Sequence, residues 1–340
     1  MPPSAPAPTN PALAGIAPTD RHLLRALAQN FGLVLSWAVL VLAILIYCAI
    51  YYGQLGTLPG NFEITSTVNN TMPLVLSGLG QTIVILTRGL DLSVGGIIDL
   101  TNALAALYLG DTLQSAILGS IAILGVGALL GFVNGALVAF GRLQPIVVTI
   151  ATLSIYQGLA IMILPQPGGT IPPEFSALLV NSGAPWALLY CVAFGLLWMM
   201  LRRSRLGVSI YAVGNDPAAA TANGISLIRT RLAAYVLSGV ASAGAGLFLA
   251  ASSTAGDATT GNGYTLTSIV AVVLGGVSLF GGRGSGIGAI AGALLTTMIV
   301  NILFFAQIDP LYQSFYEGLF LVLAVVLTMA VGRLVKRRRR

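Results

Sequence analysis

The stretch AILGSIAILGVGALLGFVNGALVAF, residues 116–140, decides the fold class of this chain. It carries no charged residue, and a helix needs only about 20 apolar residues to cross the roughly 30 Å hydrocarbon core of a membrane. The rest of the chain continues this composition, with 56% hydrophobic residues, 8% charged residues and a mean hydropathy of +0.91. These values lie outside the range of soluble domains. The sequence therefore predicts an all-α polytopic membrane protein.

Apolar stretches of this kind recur along the chain and predict about ten transmembrane helices. The predicted spans are Gly32–Tyr52, Thr71–Thr87, Gly96–Gly110, Ala116–Phe140, Pro145–Leu164, Pro185–Leu201, Leu232–Ala250, Tyr264–Gly281, Ser285–Ala306 and Gly318–Gly332. Several are short or broken, with Gly or Pro at one end. Such helices are tolerated at membrane depth only where neighbouring helices or water satisfy the freed backbone groups. This pattern favours a bundle built around a pathway.

The basic residues predict the orientation, because cytoplasmic loops carry an excess of Lys and Arg. With the N-terminus inside, all sixteen fall on the cytoplasmic side, at six places: Arg21 with Arg25, Arg88, Arg142, 202–231, Arg283 and 333–340. Both termini are then cytoplasmic and Glu174 is external. The net charge of +6 thus indicates no nucleic-acid partner, and the basic tail is expected to lie on anionic lipid headgroups.

The same pattern divides the chain into three parts. Residues 1–30 are rich in proline at their start and are expected to form a disordered cytoplasmic lead. Residues 31–332 are expected to form a single transmembrane domain with a long cytoplasmic loop at 202–231. Residues 333–340 form a basic cytoplasmic tail.

Several classes of enzyme lack the residues that they need. The single histidine, His22, lies in the lead and the single lysine, Lys336, in the tail. A His-dependent intramembrane hydrolase, an HExxH zinc enzyme and a Schiff-base lysine are therefore unsupported. The nucleotide-binding pattern GxxxxGK[ST] cannot be formed around Lys336. We expect no cofactor or metal on this chain, and any ATP that drives it must bind another polypeptide.

Regularly spaced glycines predict close helix contacts. Gly127, Gly131 and Gly135 recur every four residues along one predicted helix, and Gly284, Gly288 and Gly292 repeat the spacing along another. Small residues at this spacing let two helix backbones approach closely.

The segment LTRGLDLSVGG, residues 86–96, interrupts an apolar stretch with a charge pair and glycines. Asp91 is expected to cap and orient the following helix, since a carboxylate there meets the positive end of the helix dipole. Contact with substrate or a proton is the alternative role. Asp99 lies deeper in the next span, where an acid normally faces a partner or a wet cavity. It is a candidate to line the pathway.

The predicted cytoplasmic loop contains GNDPAAATANGI, residues 214–225. Asp216 suits the N-cap, Pro217 the first helical position and Gly224 the C-terminal stop of a helix of about two turns. The small residues of such a helix suit a groove on another protein, although a plain surface loop is the alternative. We expect this segment to contact a partner protein without contributing to the fold of this chain.

Three segments together resemble the signature segments of permeases from bacterial sugar ABC importers, the ribose, xylose, arabinose and galactofuranose group. They are TRGLDLSVGG, GNDPAAATANGI and IVAVVLGGVSLFGGRG, residues 269–284. The resemblance runs from about Gly32 to the end of the last span. One departure is that the family usually has Gly-Gly where this chain has Arg88 and Gly89. The departure suggests one half of an unequal permease pair.

The resemblance implies a permease subunit in the bacterial inner membrane, paired with a second permease as a homodimer or a paralogous heterodimer. It also implies a periplasmic sugar-binding protein and an ATP-binding ABC subunit that carries ATP and Mg²⁺. Alternating access would pass a monosaccharide through the bundle. The implied ATPase-coupling residues are Gly214, Asn215, Asp216, Pro217, Ala218, Ala219, Ala220 and Gly224, and the signature turn comprises Arg88, Gly89, Asp91, Ser93 and Gly95.

Candidate pathway residues are the polar side chains within the spans, which are Gln81, Asp99, Asn102, Tyr156, Gln157 and Asn301. Hydrogen bonding between helices is their alternative role. Three further functions stay open: a permease for branched-chain amino acids or nucleosides with the same architecture, an ATP-independent channel or secondary transporter, and, least supported, a membrane enzyme.

Overall fold

The computed structural model describes residues 31–309 apart from residue 182, together with Leu311, Tyr312, Phe315, Tyr316, Gly318, Leu319, Val322, Leu323 and Val326. The described part of 31–309 forms twelve helices and no strand. The helices are α1 Phe31–Leu55, α2 Asn61–Leu86, α3 Val94–Tyr108, α4 Leu113–Ala139, α5 Pro145–Ile163, α6 Pro173–Leu179, α7 Trp186–Arg203, α8 Arg205–Asn215, α9 Pro217–Ala222, α10 Leu227–Ser253, α11 Asn262–Leu274 and α12 Gly286–Phe305.

The predicted membrane character is confirmed by six helices that are long and apolar enough to cross a membrane, namely α1, α4, α5, α7, α10 and α12. Helices α3 and α11 are apolar but shorter. The expected lead, 1–30, and the basic tail, 333–340, lie outside the described residues. In the last predicted span, the described residues Gly318, Leu319, Val322, Leu323 and Val326 are helical.

Helices α2 and α11 depart most from the predicted bounds. Helix α2 begins at Asn61, ahead of the expected Thr71, because Glu63 fixes its first turn. The Glu63 carboxylate accepts hydrogen bonds from the Gly60 N–H at 2.8 Å and the Tyr51 hydroxyl at 2.8 Å. Helix α11 ends at Leu274 rather than Gly281.

The early end of α11 has a local cause. Gly276 has a φ of +78°, a left-handed conformation that glycine adopts without steric cost and that commonly ends helices. Gly275 faces α12 so closely that a Cβ there would overlap the backbone of Gly288. The glycine pair therefore ends α11 and brings it against α12.

The segment expected as a cytoplasmic loop, 202–231, is largely helical. Helix α7 continues to Arg203, and α8 and α9 fill most of the segment before α10 begins at Leu227. Ser204 separates α7 from α8 with an extended backbone, and its hydroxyl accepts a hydrogen bond from the Gly207 N–H at 3.1 Å. The apparent loop is thus a chain of capped helices.

Close helix contacts at the regularly spaced glycines are confirmed. In α4, side chains on Gly127 and Gly131 would overlap the α10 backbone at Gly239 and Tyr235. In α12, Gly288 and Gly292 approach the α11 backbone in the same way. Gly284, by contrast, precedes α12 instead of lying on it. Helix α10 packs against α2, α3 and α4 and forms the centre of the bundle.

Candidate functional site

Three segments that are distant in the sequence meet at one end of the bundle. They are the end of α2, the end of α8, and the glycine-rich connection between α11 and α12, and we call their meeting point the coupling junction. The Leu86 carbonyl, at the end of α2, accepts a hydrogen bond from the Gly282 N–H at 3.0 Å. Gly214 of α8 lies so close that a Cβ would overlap the same carbonyl oxygen. Only glycine fits at position 214.

Arg88 joins the signature turn to α8. Its Nε donates to the Gly214 carbonyl at 2.8 Å, and its Nη2 donates to the Asn215 carbonyl at 2.7 Å. These are carbonyls of the last turn of α8, which have no partner within the helix and lie at the negative end of its dipole. Arg88 reaches them from a left-handed backbone conformation, with φ +65°. The guanidinium therefore caps α8 from another part of the chain.

The glycine-rich connection completes the junction. The Asn215 side-chain nitrogen donates to the Gly282 carbonyl at 3.2 Å, and the Tyr211 hydroxyl donates to the Gly284 carbonyl at 2.7 Å. Tyr211 was not among the predicted site residues, and nothing in the sequence marks it. The expectation that 214–225 does not contribute to the fold is wrong for Gly214 and Asn215, because both are bonded into this junction.

Helix α9 has the predicted caps. The Asp216 carboxylate accepts hydrogen bonds from the N–H groups of Ala218 and Ala219 at 2.9 and 3.1 Å, and Pro217 occupies the first position. At the other end, Gly224 has a φ of +80°. The Ile225 N–H bonds the Ala220 carbonyl and the Gly224 N–H bonds the Thr221 carbonyl, which is the Schellman arrangement.

The two faces of α9 differ in exposure. Ala220 is buried, whereas Ala218 and Ala219 are exposed. Helix α9 therefore rests on the helix bundle with one face and presents small side chains on the other. Because the coupling junction bonds the end of α8, which directly precedes α9, it fixes the position of this exposed face relative to α2.

Asp91 is buried and fully bonded. It accepts from the Ser93 N–H at 3.1 Å and the Ser93 hydroxyl at 2.5 Å, while its other oxygen accepts from the Ser238 hydroxyl of α10 at 2.8 Å. The Asn134 amide of α4 donates to the Ser93 hydroxyl at 2.7 Å. Ser93 is the N-cap residue of α3. Asp91 thus orients the helix start through Ser93, without being the cap itself.

Asp99, within α3, is also fully buried. Its Oδ1 accepts a hydrogen bond from the N–H of Gly261, the N-cap residue of α11, at 2.5 Å. A carboxylate here meets the positive end of the α11 dipole. Its Oδ2 has no partner among the described residues, and the nearby Thr265 hydroxyl is likewise unbonded within that part of the chain. A Cβ on Gly95 would overlap that hydroxyl.

The other candidate pathway residues differ in their hydrogen bonding. Three bond neighbouring helices or loops: Asn102 to the Gly246 carbonyl, Tyr156 to the Leu130 carbonyl and Asn301 to the Thr67 hydroxyl. Gln81 differs, since it is fully buried and both polar atoms of its side chain lack a partner in the described structure. Gln157 is half-buried. Gln81 and Asp99 therefore retain hydrogen-bonding capacity inside the bundle.

The bond to Gly261 leads to a prediction for position 99. Asp99→Asn keeps a side-chain oxygen that can accept from Gly261, whereas Asp99→Leu leaves that buried N–H unsatisfied, at a cost of about 1–3 kcal/mol. We expect the Asn variant to retain most transport and the Leu variant to lose at least tenfold. Uptake rates normalised to membrane protein level measure this. Equal activity of the two variants would contradict the role of Asp99 in holding α11.

The chain is similar to characterised families over most of its length. The family model of the branched-chain amino acid transport system permease component matches residues 63–329. The ribose import permease protein of Escherichia coli K12 is 33% identical over 301 residues, which cover 84% of this chain and 91% of that protein. The fructose import permease protein of Rhizobium meliloti is 34% identical over 328 residues, covering 91% and 89%.

A probable ABC transporter permease protein of Sinorhizobium fredii is 35% identical over 278 residues, covering 78% of this chain and 80% of that protein. No solved structure matches the chain. These relatives confirm the resemblance carried by the three signature segments. The chain belongs to the family of branched-chain amino acid transport system permease components, and it is a multi-pass protein of the bacterial inner membrane.

Proposed function

We propose that this chain is the membrane-spanning permease of an ATP-driven importer, which passes a monosaccharide from a periplasmic binding protein to the cytoplasm by alternating access. The observation that carries the proposal is the coupling junction, which fixes α9 with its small-residue face exposed. Such a face suits the groove of an ATPase subunit. The names of the ribose and fructose import permeases support a sugar as cargo.

The proposed assembly contains two permeases, as a homodimer or a paralogous heterodimer, and an ATP-binding subunit that holds ATP and Mg²⁺. Hydrolysis belongs to that subunit, and this chain performs no covalent chemistry. We propose ten crossings, made by α1–α5, α7, α10–α12 and a last span at 318–332, with both termini in the cytoplasm. Residues 31–332 then form one permease domain between the lead and the basic tail.

Reconstitution with the cognate ATPase and binding protein in liposomes tests this function. We expect ATP-dependent uptake of a labelled pentose or hexose and no uptake of leucine or a nucleoside. ATP-dependent uptake of leucine or a nucleoside, without uptake of sugar, would show that the cargo is not a sugar. Uptake that proceeds equally without ATP and the ATPase would instead establish a channel or secondary transporter.

A further inference from the structure

A cavity of about 730 Å³ lies beside the coupling junction. Its volume falls within the roughly 300–1,000 Å³ that small-molecule sites occupy. It opens between the ends of α2 and α4, the α4–α5 connection, the end of α9 and the start of α10. The residues that line it include Thr87, Arg88, Val138, Arg142, Leu143 and Arg231.

The lining is strongly cationic. Arg88, Arg142 and Arg231 contribute three guanidinium groups from three separate parts of the chain, and the described lining residues include no Asp or Glu. Within the described structure, no hydrogen bond engages the guanidinium of Arg142 or Arg231. Arg142 is held in a left-handed conformation, with φ +53°. The guanidinium groups of Arg142 and Arg231, which bond nothing in the described structure, share this lining with Arg88 and no carboxylate, and this arrangement suits an anion.

Exposed apolar residues near Arg142 in the sequence indicate which kind of anion this cavity accepts. Phe140 is 61% exposed and Leu143 is 50% exposed on either side of Arg142, and the exposed Val147 continues the apolar surface along α5. On a membrane protein, a surface of this kind meets acyl chains. A cationic cavity next to an acyl-facing surface matches a molecule that carries both a phosphate and a hydrocarbon tail, and such pockets between membrane helices bind lipid headgroups.

We propose that this cavity binds the phosphate headgroup of an anionic phospholipid from the cytoplasmic leaflet. The proposal rests on the orientation given above, which places all three arginines on the cytoplasmic side. The headgroup lies between Arg142 and Arg231, close to Arg88, and the acyl chains run along the apolar surface of α4 and α5. Arg88 both lines this cavity and bonds α8 at the coupling junction, so a bound lipid would contact the residue that holds α8 in place.

Native mass spectrometry of the full-length permease, purified in neutral detergent, tests the site. Phosphatidylglycerol and phosphatidylcholine are titrated onto the wild type, onto the double variant R142Q/R231Q, and onto the matched control R203Q/R229Q. Arg203 and Arg229 are exposed arginines that do not line the cavity, so both double variants lose two positive charges. We expect preferential binding of phosphatidylglycerol to the wild type, at least a tenfold loss in R142Q/R231Q, and less than a twofold loss in the control.

Four results would overturn the proposal. An equal loss of phosphatidylglycerol binding in both double variants would show that only the total surface charge matters. Equal binding of phosphatidylcholine to the wild type would show that the negative charge of the lipid is not recognised. Competition by millimolar inorganic phosphate alone would make the ligand a soluble anion. Displacement of bound phosphatidylglycerol when the ATPase assembles would assign the cavity to an acidic segment of that subunit. If R142Q/R231Q unfolds, the single variant R142Q, at an exposed position, is compared with R203Q in the same titration.

Sugar uptake by the wild type tests the proposed function separately, so that a failure of the lipid site can be distinguished from a failure of that function.

Discussion

Replacing Ala219 with glutamate is expected to abolish ATPase binding and transport while leaving the permease folded in the membrane. Ala219 is exposed on α9, at the third position after its Asp216 cap. A glutamate in the first turn of a helix is compatible with the helix dipole and suits the capping-box position. The free permease therefore tolerates the substitution within about 0.5 kcal/mol. In the groove of a partner, the same carboxylate would be buried without a counter-charge, which is heavily penalised.

Co-purification of the ATPase with the tagged permease and ATP-dependent uptake are the two measurements. Ala219→Ser is the matched control, because serine keeps the side chain small and should retain at least half of both activities. Normal ATPase binding and uptake in the glutamate variant would show that the Ala219 face of α9 does not contact the ATPase. Loss of the permease itself from the membrane would show instead that Ala219 serves the fold.

Replacing Arg88 with glycine, the residue usual in the family, is expected to uncouple transport from ATP hydrolysis. Glycine relieves the left-handed strain at this position, which costs a non-glycine residue roughly 1–2 kcal/mol. It also removes two hydrogen bonds from a charged group to carbonyls of α8, each worth about 1.5–3 kcal/mol, with the lower end suiting this partly exposed site. The loss exceeds the relief by about 1–2 kcal/mol. The docked position of α8 should then be populated roughly five- to thirtyfold less.

The measurement is the number of sugar molecules taken up per ATP hydrolysed in proteoliposomes, which should fall about tenfold. Arg88→Lys separates charge from geometry, because lysine keeps the charge and the left-handed strain but lacks the planar fork that reaches two carbonyls. We expect it to be uncoupled as well. Full coupling in Arg88→Gly would show that the other bonds of the junction hold α8 without the guanidinium.

Local features of this molecule could be predicted from the sequence because their causes lie within a few residues. The caps of α9 follow from Asp216, Pro217 and Gly224, each of which acts on its own turn of backbone. The apolar spans follow from composition in the same way. The start of α2 was placed too late because Glu63 fixes the first turn of a segment too polar to be recognised as membrane-spanning.

Long-range partners could not be predicted in this way. The bond from Arg88 to Gly214 spans 126 residues, and the bond from Gly261 to Asp99 spans 162. The sequence shows that the buried carboxylate of Asp99 needs a hydrogen-bond donor. It does not show that the donor is the N–H of Gly261. The departure at Arg88 was visible, yet its structural role became clear only once α8 was found beside the signature turn.

The short helix α3 has a consequence for the order in which the chain enters the membrane. Its 15 residues extend only about 22 Å at 1.5 Å per residue, which is less than the hydrocarbon core. Asp91 and Asn102 find their donor and acceptor on α10, at Ser238 and Gly246. Because α10 is synthesised more than a hundred residues later, α3 leaves the ribosome before these partners exist. Its final position in the bilayer is therefore reached late in biogenesis. A nascent chain that stops before α10 would present Asp91 without its Ser238 donor and Asp99 without its Gly261 donor to the insertion and quality-control machinery.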